Sequence, residues 1–302
     1  MEKSIKKSAP FKRKVESLNR RSGGEKVLFA IVFVVFLLQA FTMFFVFWWL
    51  FNNSLKDAFE YGDLKNSMHF PKTPEFENYI EAFQSLNTDE FSFLEGIANS
   101  LYYTVVCSFL GSFCPAITGY VLSKYKFAGR EVIYSVAIVS LTLPVVGTGA
   151  AYMRLLHTLQ LYNNPLFYVV SNLSGFGAIF LIYAAFFGGL SWSYAEAAEM
   201  DGANPYQIFF SVMFPQCLPI YFTNVIICAI ACWNEYNLMI LYMPKYLSLA
   251  AGLYEYQATA DRGADYPVYF AGLIISMIPT LVIFSVFSDK VMTSLSVGGL
   301  KG

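Results

Sequence analysis

Residues 196–219 read EAAEMDGANPYQIFFSVMFPQCLP and lie between two apolar stretches. Glu196, Ala197, Ala198, Glu199 and Met200 are strong helix formers, so a helix is expected up to Met200. Asp201-Gly202 offers a stop, because glycine reaches the left-handed conformation that helix ends often need. Asn204-Pro205 is a restart: a side-chain oxygen to cap, then a residue with preset φ and no N–H to waste. Beyond it Tyr206, Phe209, Phe210 and Met213 fall at i, i+3, i+4 and i+7, which predicts one apolar stripe. Pro215 and Pro219 lead into the next apolar stretch. A plain connection between membrane helices does not need this design, so its location matters.

Apolar residues make up 56% of the chain and charged residues 14%, against about 45–50% and about 25% in ordinary soluble domains. This is the composition of an integral membrane protein, and 302 residues allow one membrane domain of several helices. A net charge of −1 leaves no basic face for nucleic acid. There is no glycine-rich phosphate loop, and His69 and His157 belong to no metal-ligand spacing. No Ser/His/Asp or Cys/His set suggests catalysis, so the chain reads as a non-enzyme that binds no metal or cofactor of its own. The five cysteines (Cys107, Cys114, Cys217, Cys228, Cys232) lie in or beside apolar stretches. Cys228 and Cys232 stand one helical turn apart but lack histidine partners, which favours small packing residues over a metal site.

Residues 1–26 carry nine Lys or Arg against three Glu. The uncharged run Val27–Phe51 that follows is too long for a signal core and suits a tilted transmembrane helix. Asn52–Gly96 is an acidic segment with three Lys against nine Asp or Glu; its prolines and aromatics suggest a partly ordered external loop. Further spans are expected at Ile97–Leu122, Val132–Leu156, Leu166–Leu190, Leu218–Met243 and Val268–Phe287. Gly111, Pro115, Pro144, Gly147 and Gly149 interrupt the second and third, as in transporters. Six spans, with residues 97–290 as a five-helix core and 291–302 as a tail, put both termini in the cytoplasm. Fourteen basic residues then lie inside and six outside, in keeping with the positive-inside rule. The 191–215 loop is therefore expected in the cytoplasm. It has no Lys or Arg, so a protein groove suits its apolar stripe better than anionic lipid.

Glu196-Ala197-Ala198, then Gly202, then Val212-Met213-Phe214-Pro215 resembles the EAA loop of permeases of ATP-binding-cassette importers. That pattern is EAA, three residues, Gly, nine residues, then an aliphatic–x–Leu–Pro end; Val212 and Phe214 replace the usual Ile and Leu. Ala195 stands where many relatives have a second Glu. Glu196–Ala203 is similar to the carbohydrate branch, in particular its maltose-type second permease. Asn53-Ser-Leu-Lys56, Phe70-Pro-Lys72, Phe76-Glu-Asn-Tyr79, Asn99-Ser100 and Gly298-Gly-Leu-Lys-Gly302 resemble the same branch. The resemblance implies an all-α type I importer permease of six spans in a bacterial plasma membrane. It implies as partners a second permease, two ATP-binding subunits that hold ATP and Mg, and an extracellular sugar-binding protein. It also implies a coupling role for Glu196, Ala197, Ala198, Asp201, Gly202, Ala203, Tyr206, Phe209, Phe210 and Pro215.

For cargo, the candidates are Trp233, Asn234, Glu235, Tyr236 and Asn237 in the outer part of the fifth span. A carboxylate within a span should face protein or water, and Asn, Glu and Trp suit sugar hydroxyls and ring faces. The other reading of Glu235 is an interfacial residue that stabilises the bundle. Asp261, Arg262 and Asp265 either meet a binding protein or are solvated. Two alternatives stay open: a non-sugar cargo such as glycerol phosphate, and an ion-coupled secondary transporter, which predicts midplane charges and an internal repeat.

Overall fold

The computed structural model describes residues 23–63, 66, 68–87, 91–143, 147–259 and 265–297, with backbone only at 259 and 289–297. The basic head before Gly23, Pro144, Asp261, Arg262 and the final Gly-Gly-Leu-Lys-Gly lie outside the described residues. Those described form helices and connections with no strand. In order they are α1 Gly23–Ser54, α2 Ala58–Gly62, α3 Asn78–Ser85, α4 Phe93–Lys124, α5 Arg130–Thr142 and α6 Gly149–Thr158. Then come α7 Leu166–Asn172, α8 Ala178–Gly189, α9 Ser193–Met200, α10 Pro205–Trp233, α11 Asn237–Tyr242, α12 Leu249–Thr259 and α13 Tyr266–Val297.

Four helices, α1, α4, α10 and α13, are each long and apolar enough to cross a membrane. The α8–α9 pair makes a fifth only across a bend of 69°. The expected third span is divided between α5 and α6, with Gly147 at φ +83° in the break. The fourth is divided between α7 and α8. There Gly175 runs so close to α4 that a Cβ would collide with Thr118. The fifth stops at Trp233 and resumes as α11. Conversely α4 runs unbroken through Gly111 and Pro115, contrary to the interruption expected there. Proline clashes with the carbonyl four residues back, and that position is Gly111.

α4 is the central strut. Ser100, Thr104, Ser108, Ser112 and Ala116 recur every fourth residue and are all buried. Such a stripe of small residues lets neighbouring helices approach closely. At Gly119 a Cβ would stand 2.7 Å from Cβ of Tyr183 on α8. The interior forms two main clusters along this strut. One gathers Phe93, Tyr103, Tyr168, Trp233, Leu249 and Val268; the other gathers Ala116, Tyr120, Tyr183, Phe187, Phe209 and Met213. α1 is exposed over nearly its whole length, and at its end Trp49 meets Phe270 (5.3 Å). An apolar helix of this length suits a membrane span.

The segment after α1 is ordered by a buried polar clasp, more than its composition suggested. Asn52, Asn53, Ser54 and Lys56 are all buried. Lys56 Nζ donates to Asn53 Oδ1 and to the Asn66 carbonyl, each at 2.7 Å. Asn78 Nδ2 donates to the carbonyls of Ser54 and Lys56, each at 2.9 Å. Burial pushes the pKa of Lys56 down, with Glu60 pulling the other way.

Candidate functional site

The 196–219 stretch folds as a two-armed elbow whose joint is hydrogen-bonded throughout. α9 begins after Trp192, whose carbonyl accepts the N–H groups of Ala195 and Glu196. It ends in paired bonds, Ala203 N–H to Ala198 O and Gly202 N–H to Glu199 O, both 3.0 Å. This pairing requires a left-handed residue between, and Gly202 has φ +83°. The next arm starts at once in a capping box. Asn204 Oδ1 accepts the Gln207 N–H and Gln207 Oε1 accepts the Asn204 N–H, both at 2.9 Å. Stop and restart are thus where the sequence puts them.

The second arm departs from expectation. Ile208–Met213 is a π-helical turn, in which the Phe214 N–H bonds to Phe209 O, five residues back. Pro215 supplies the cause: its ring would press on the carbonyl of Ser211, and a wider turn relieves that contact. The single stripe of Tyr206, Phe209, Phe210 and Met213 is therefore split. Phe209 and Met213 are buried with Ile208, whereas Tyr206 is 78% and Phe210 53% exposed. Pro215 and Pro219 do not interrupt α10, which continues to Trp233.

The inward face is fastened to α4 and α8. Tyr120 lies 4.9 Å from Phe209 and 5.3 Å from Phe187, ring centre to ring centre. Phe113 meets Phe214 edge-on at 5.6 Å, and Lys124 Nζ donates to the Leu190 carbonyl. Ala195 is fully buried, so the residue that departs from the resembled pattern faces the core. The outward face carries Glu196, Ala197, Glu199, Met200 (88% exposed), Asp201, Gly202 and Tyr206, with Pro215 exposed farther along; Ala198 and Ala203 are half-buried. Of the ten coupling candidates, Phe209 is buried, and Ala198 and Ala203 pack against the same inner cluster.

The second candidate group runs from Trp233, the last residue of α10, across a break to Asn237, the first of α11. Trp233 is buried, and its indole N–H donates to Ser276 O (2.8 Å), so it offers no free ring face. Asn234 is exposed and donates to Ile230 O (2.8 Å). Glu235 Oε1 accepts the Leu238 N–H (3.0 Å), and its own carbonyl accepts from Ser248 Oγ (3.1 Å). Tyr236 stacks on Tyr254 at 4.9 Å, and Asn237 is exposed at the start of α11. Tyr254, itself 48% exposed, was missed. Its signal was the aromatic run Leu253-Tyr-Glu-Tyr256, which nothing linked to Tyr236. Asp265 Oδ1 accepts the Val268 N–H (3.3 Å) at the head of α13. Among the described residues no group of three or more His, Cys, Asp or Glu could hold a metal.

Long apolar helices around a braced strut, with a hydrogen-bonded elbow left projecting, define a membrane-spanning subunit. The chain belongs to the family of binding-protein-dependent transport system inner membrane components, whose profile matches residues 108–294. It is thus a membrane-spanning permease subunit of an ATP-binding-cassette importer, a transport component and not an enzyme. It is 28% identical over 257 residues to the diacetylchitobiose uptake system permease protein of Streptomyces coelicolor, covering 83% of this chain and 82% of that one. It is 27% identical to the arabinooligosaccharides transport system permease protein of Bacillus subtilis, over 77% of this chain and 81% of that one. Its fold is similar to a chain in the crystal structure of a bacterial ABC transporter that imports the acidic polysaccharide alginate. The TM-score there is 0.71 with 22% identity, covering 89% of this chain and 98% of that one.

Proposed function

We propose that this chain imports a sugar or oligosaccharide, and that the elbow of α9 and α10 is its seat for an ATP-binding subunit. The observation that carries the reading is the two-faced elbow. Its inner residues are locked to α4, while Met200 and Tyr206 project from a fully hydrogen-bonded joint. A knob on such a mount moves as a rigid body, so a cleft gripping it would drag α10 along. On this reading residues 191–215 and both termini face the cytoplasm. A second permease covers part of the exposed helical surface, two ATP-binding subunits hold ATP and Mg, and an extracellular binding protein delivers the cargo.

The cargo reading rests on the relatives' named substrates, diacetylchitobiose and arabinooligosaccharides among them. Within this chain we assign the cargo path to Asn234, Glu235, Tyr236 and Asn237, with Tyr254 taking the aromatic role expected of Trp233. Glu235 devotes one carboxylate oxygen to capping α11, which weighs against an ion-coupled transporter relying on it. The test is uptake of radiolabelled oligosaccharide by vesicles carrying the complete transporter, with and without internal ATP. Uptake should require ATP and vanish in Gly202→Pro, which should also lose co-purification of the ATP-binding subunit. Uptake that persists without ATP, or in that variant, would refute the coupling role.

A further inference from the structure

We infer that Lys124, the last residue of α4, is a positioning residue that fixes the bend between α8 and α9 and thereby sets where the elbow stands. The chain turns by 69° between these two helices. At such a turn the ladder of backbone bonds is interrupted, and the last carbonyls of α8 need donors from elsewhere. Lys124 Nζ supplies one, donating to the carbonyl of Leu190, the residue that closes α8. The two lie 66 positions apart in sequence. A cation at a helix C-terminus is favoured both by the charge-assisted bond and by the helix dipole.

The neighbouring residue holds the other side of the turn. The Tyr125 ring meets that of Trp192 edge-on at 5.9 Å, and the Trp192 carbonyl accepts the Ala195 and Glu196 N–H groups that open α9. Lys124 and Tyr125 therefore grip the chain immediately before and after Ser191. Tyr125 is itself backed by Tyr120 (5.6 Å), the ring against which Phe209 rests. Both arms of the elbow are thus located by the same end of α4, α9 through Lys124 and Tyr125 and the second arm through Tyr120. Without the Lys124 bond, α9 can swing about Ser191 while α10 stays fastened, and a push on Met200 is absorbed by that swing. Arg130 provides the contrast. Its Nε donates to the Leu122 carbonyl at 2.6 Å, which ties α5 to α4 and leaves the bend alone.

The effect on transport rests on the proposed coupling role, whereas the effect on the bend does not. Two measurements on the complete transporter reconstituted in lipid keep them apart. Hydrogen exchange over residues 191–200 reads the bend, and the ATP hydrolysed per oligosaccharide imported reads the coupling. Lys124→Met keeps the stem and loses the donor. Exchange over 191–200 should quicken, and the ATP ratio should rise on the order of tenfold. Lys124→Arg still offers a cationic donor and should return both towards wild type. Tyr125→Ala should move both in the same direction as Lys124→Met. Arg130→Met should lower the melting temperature and leave both measurements unchanged. Unchanged exchange in Lys124→Met, or in Tyr125→Ala should Lys124→Met fail to assemble, would overturn the inference, as would an equal rise of the ratio in Arg130→Met. Quickened exchange with an unchanged ratio would overturn the positioning role in transport. The coupling reading itself falls only if Gly202→Pro also transports normally.

Discussion

The ring of Phe209 lies 4.9 Å from that of Tyr120, a tighter aromatic contact between the elbow and the central strut than Phe113 makes with Phe214 (5.6 Å). Phe209 also touches Phe210 (5.0 Å) and Phe214 (5.6 Å). Truncating a buried Phe to Ala costs about 3–5 kcal/mol. Phe209→Ala should lower the melting temperature of the purified transporter and separate ATP hydrolysis from uptake. Tyr120→Phe keeps the ring and loses only a hydroxyl contact to Tyr125 at 3.4 Å. It should match the wild type in both assays.

Gly202 gives a graded series. A Cβ there would meet nothing within 4 Å, so any penalty is conformational. A non-glycine residue in the left-handed region costs about 1–2 kcal/mol, with Asn the best tolerated. Gly202→Pro fixes φ at the wrong sign and removes the N–H that bonds Glu199 O. Uptake should fall in the order Asn, Ala, Pro, and bulk at the site should not matter; equal activity of Ala and Pro variants would contradict this.

Asp265 sets a pH dependence outside the membrane spans. Burial raises its pKa above the ordinary 3.8, Glu81 and Asp57 add to the rise, and the bond from Val268 opposes it. The folded state therefore holds the proton more tightly than the unfolded one. This contribution to stability is fully present below pH 3.8 and is lost as pH rises through the raised value. Asp265→Asn keeps the acceptor for Val268 and removes the charge. Thermal unfolding should show the variant at least as stable as wild type at pH 7, with the difference closing towards pH 4.

Glu235→Gln separates structure from cargo contact. The amide oxygen still accepts the Leu238 N–H, so the melting temperature should not move. If the other carboxylate oxygen meets cargo, the concentration for half-maximal uptake should rise about tenfold, the loss of roughly 1.4 kcal/mol for one charged hydrogen bond. Unchanged uptake would return Glu235 to a purely structural role.

Local chemistry was legible in the sequence and its tertiary consequences were not. Gly202 and Asn204-Pro205 marked a stop and a restart because both signals act within four residues of their own position. The Tyr206–Met213 stripe failed because a 3.6-residue period was assumed, while Pro215 enforces a wider turn against the Tyr120 ring. Hydropathy found the apolar stretches but overlooked the breaks at 173–177 and 234–236, since helix and broken helix share one composition. Trp233 looked like a sugar platform because nothing local reveals that Ser276, 43 residues on, takes its N–H.

Pro215 and Pro219 stand one turn apart, and neither can donate to the carbonyl four residues earlier. Two successive rungs of the backbone ladder, at Ser211 and Pro215, are therefore missing from the same side of α10. A rod weakened along one side yields in one plane and stays stiff in the other. Force applied at Met200 or Tyr206 would then be resolved into a hinge stroke of fixed direction, and torsion would pass undiminished towards Trp233.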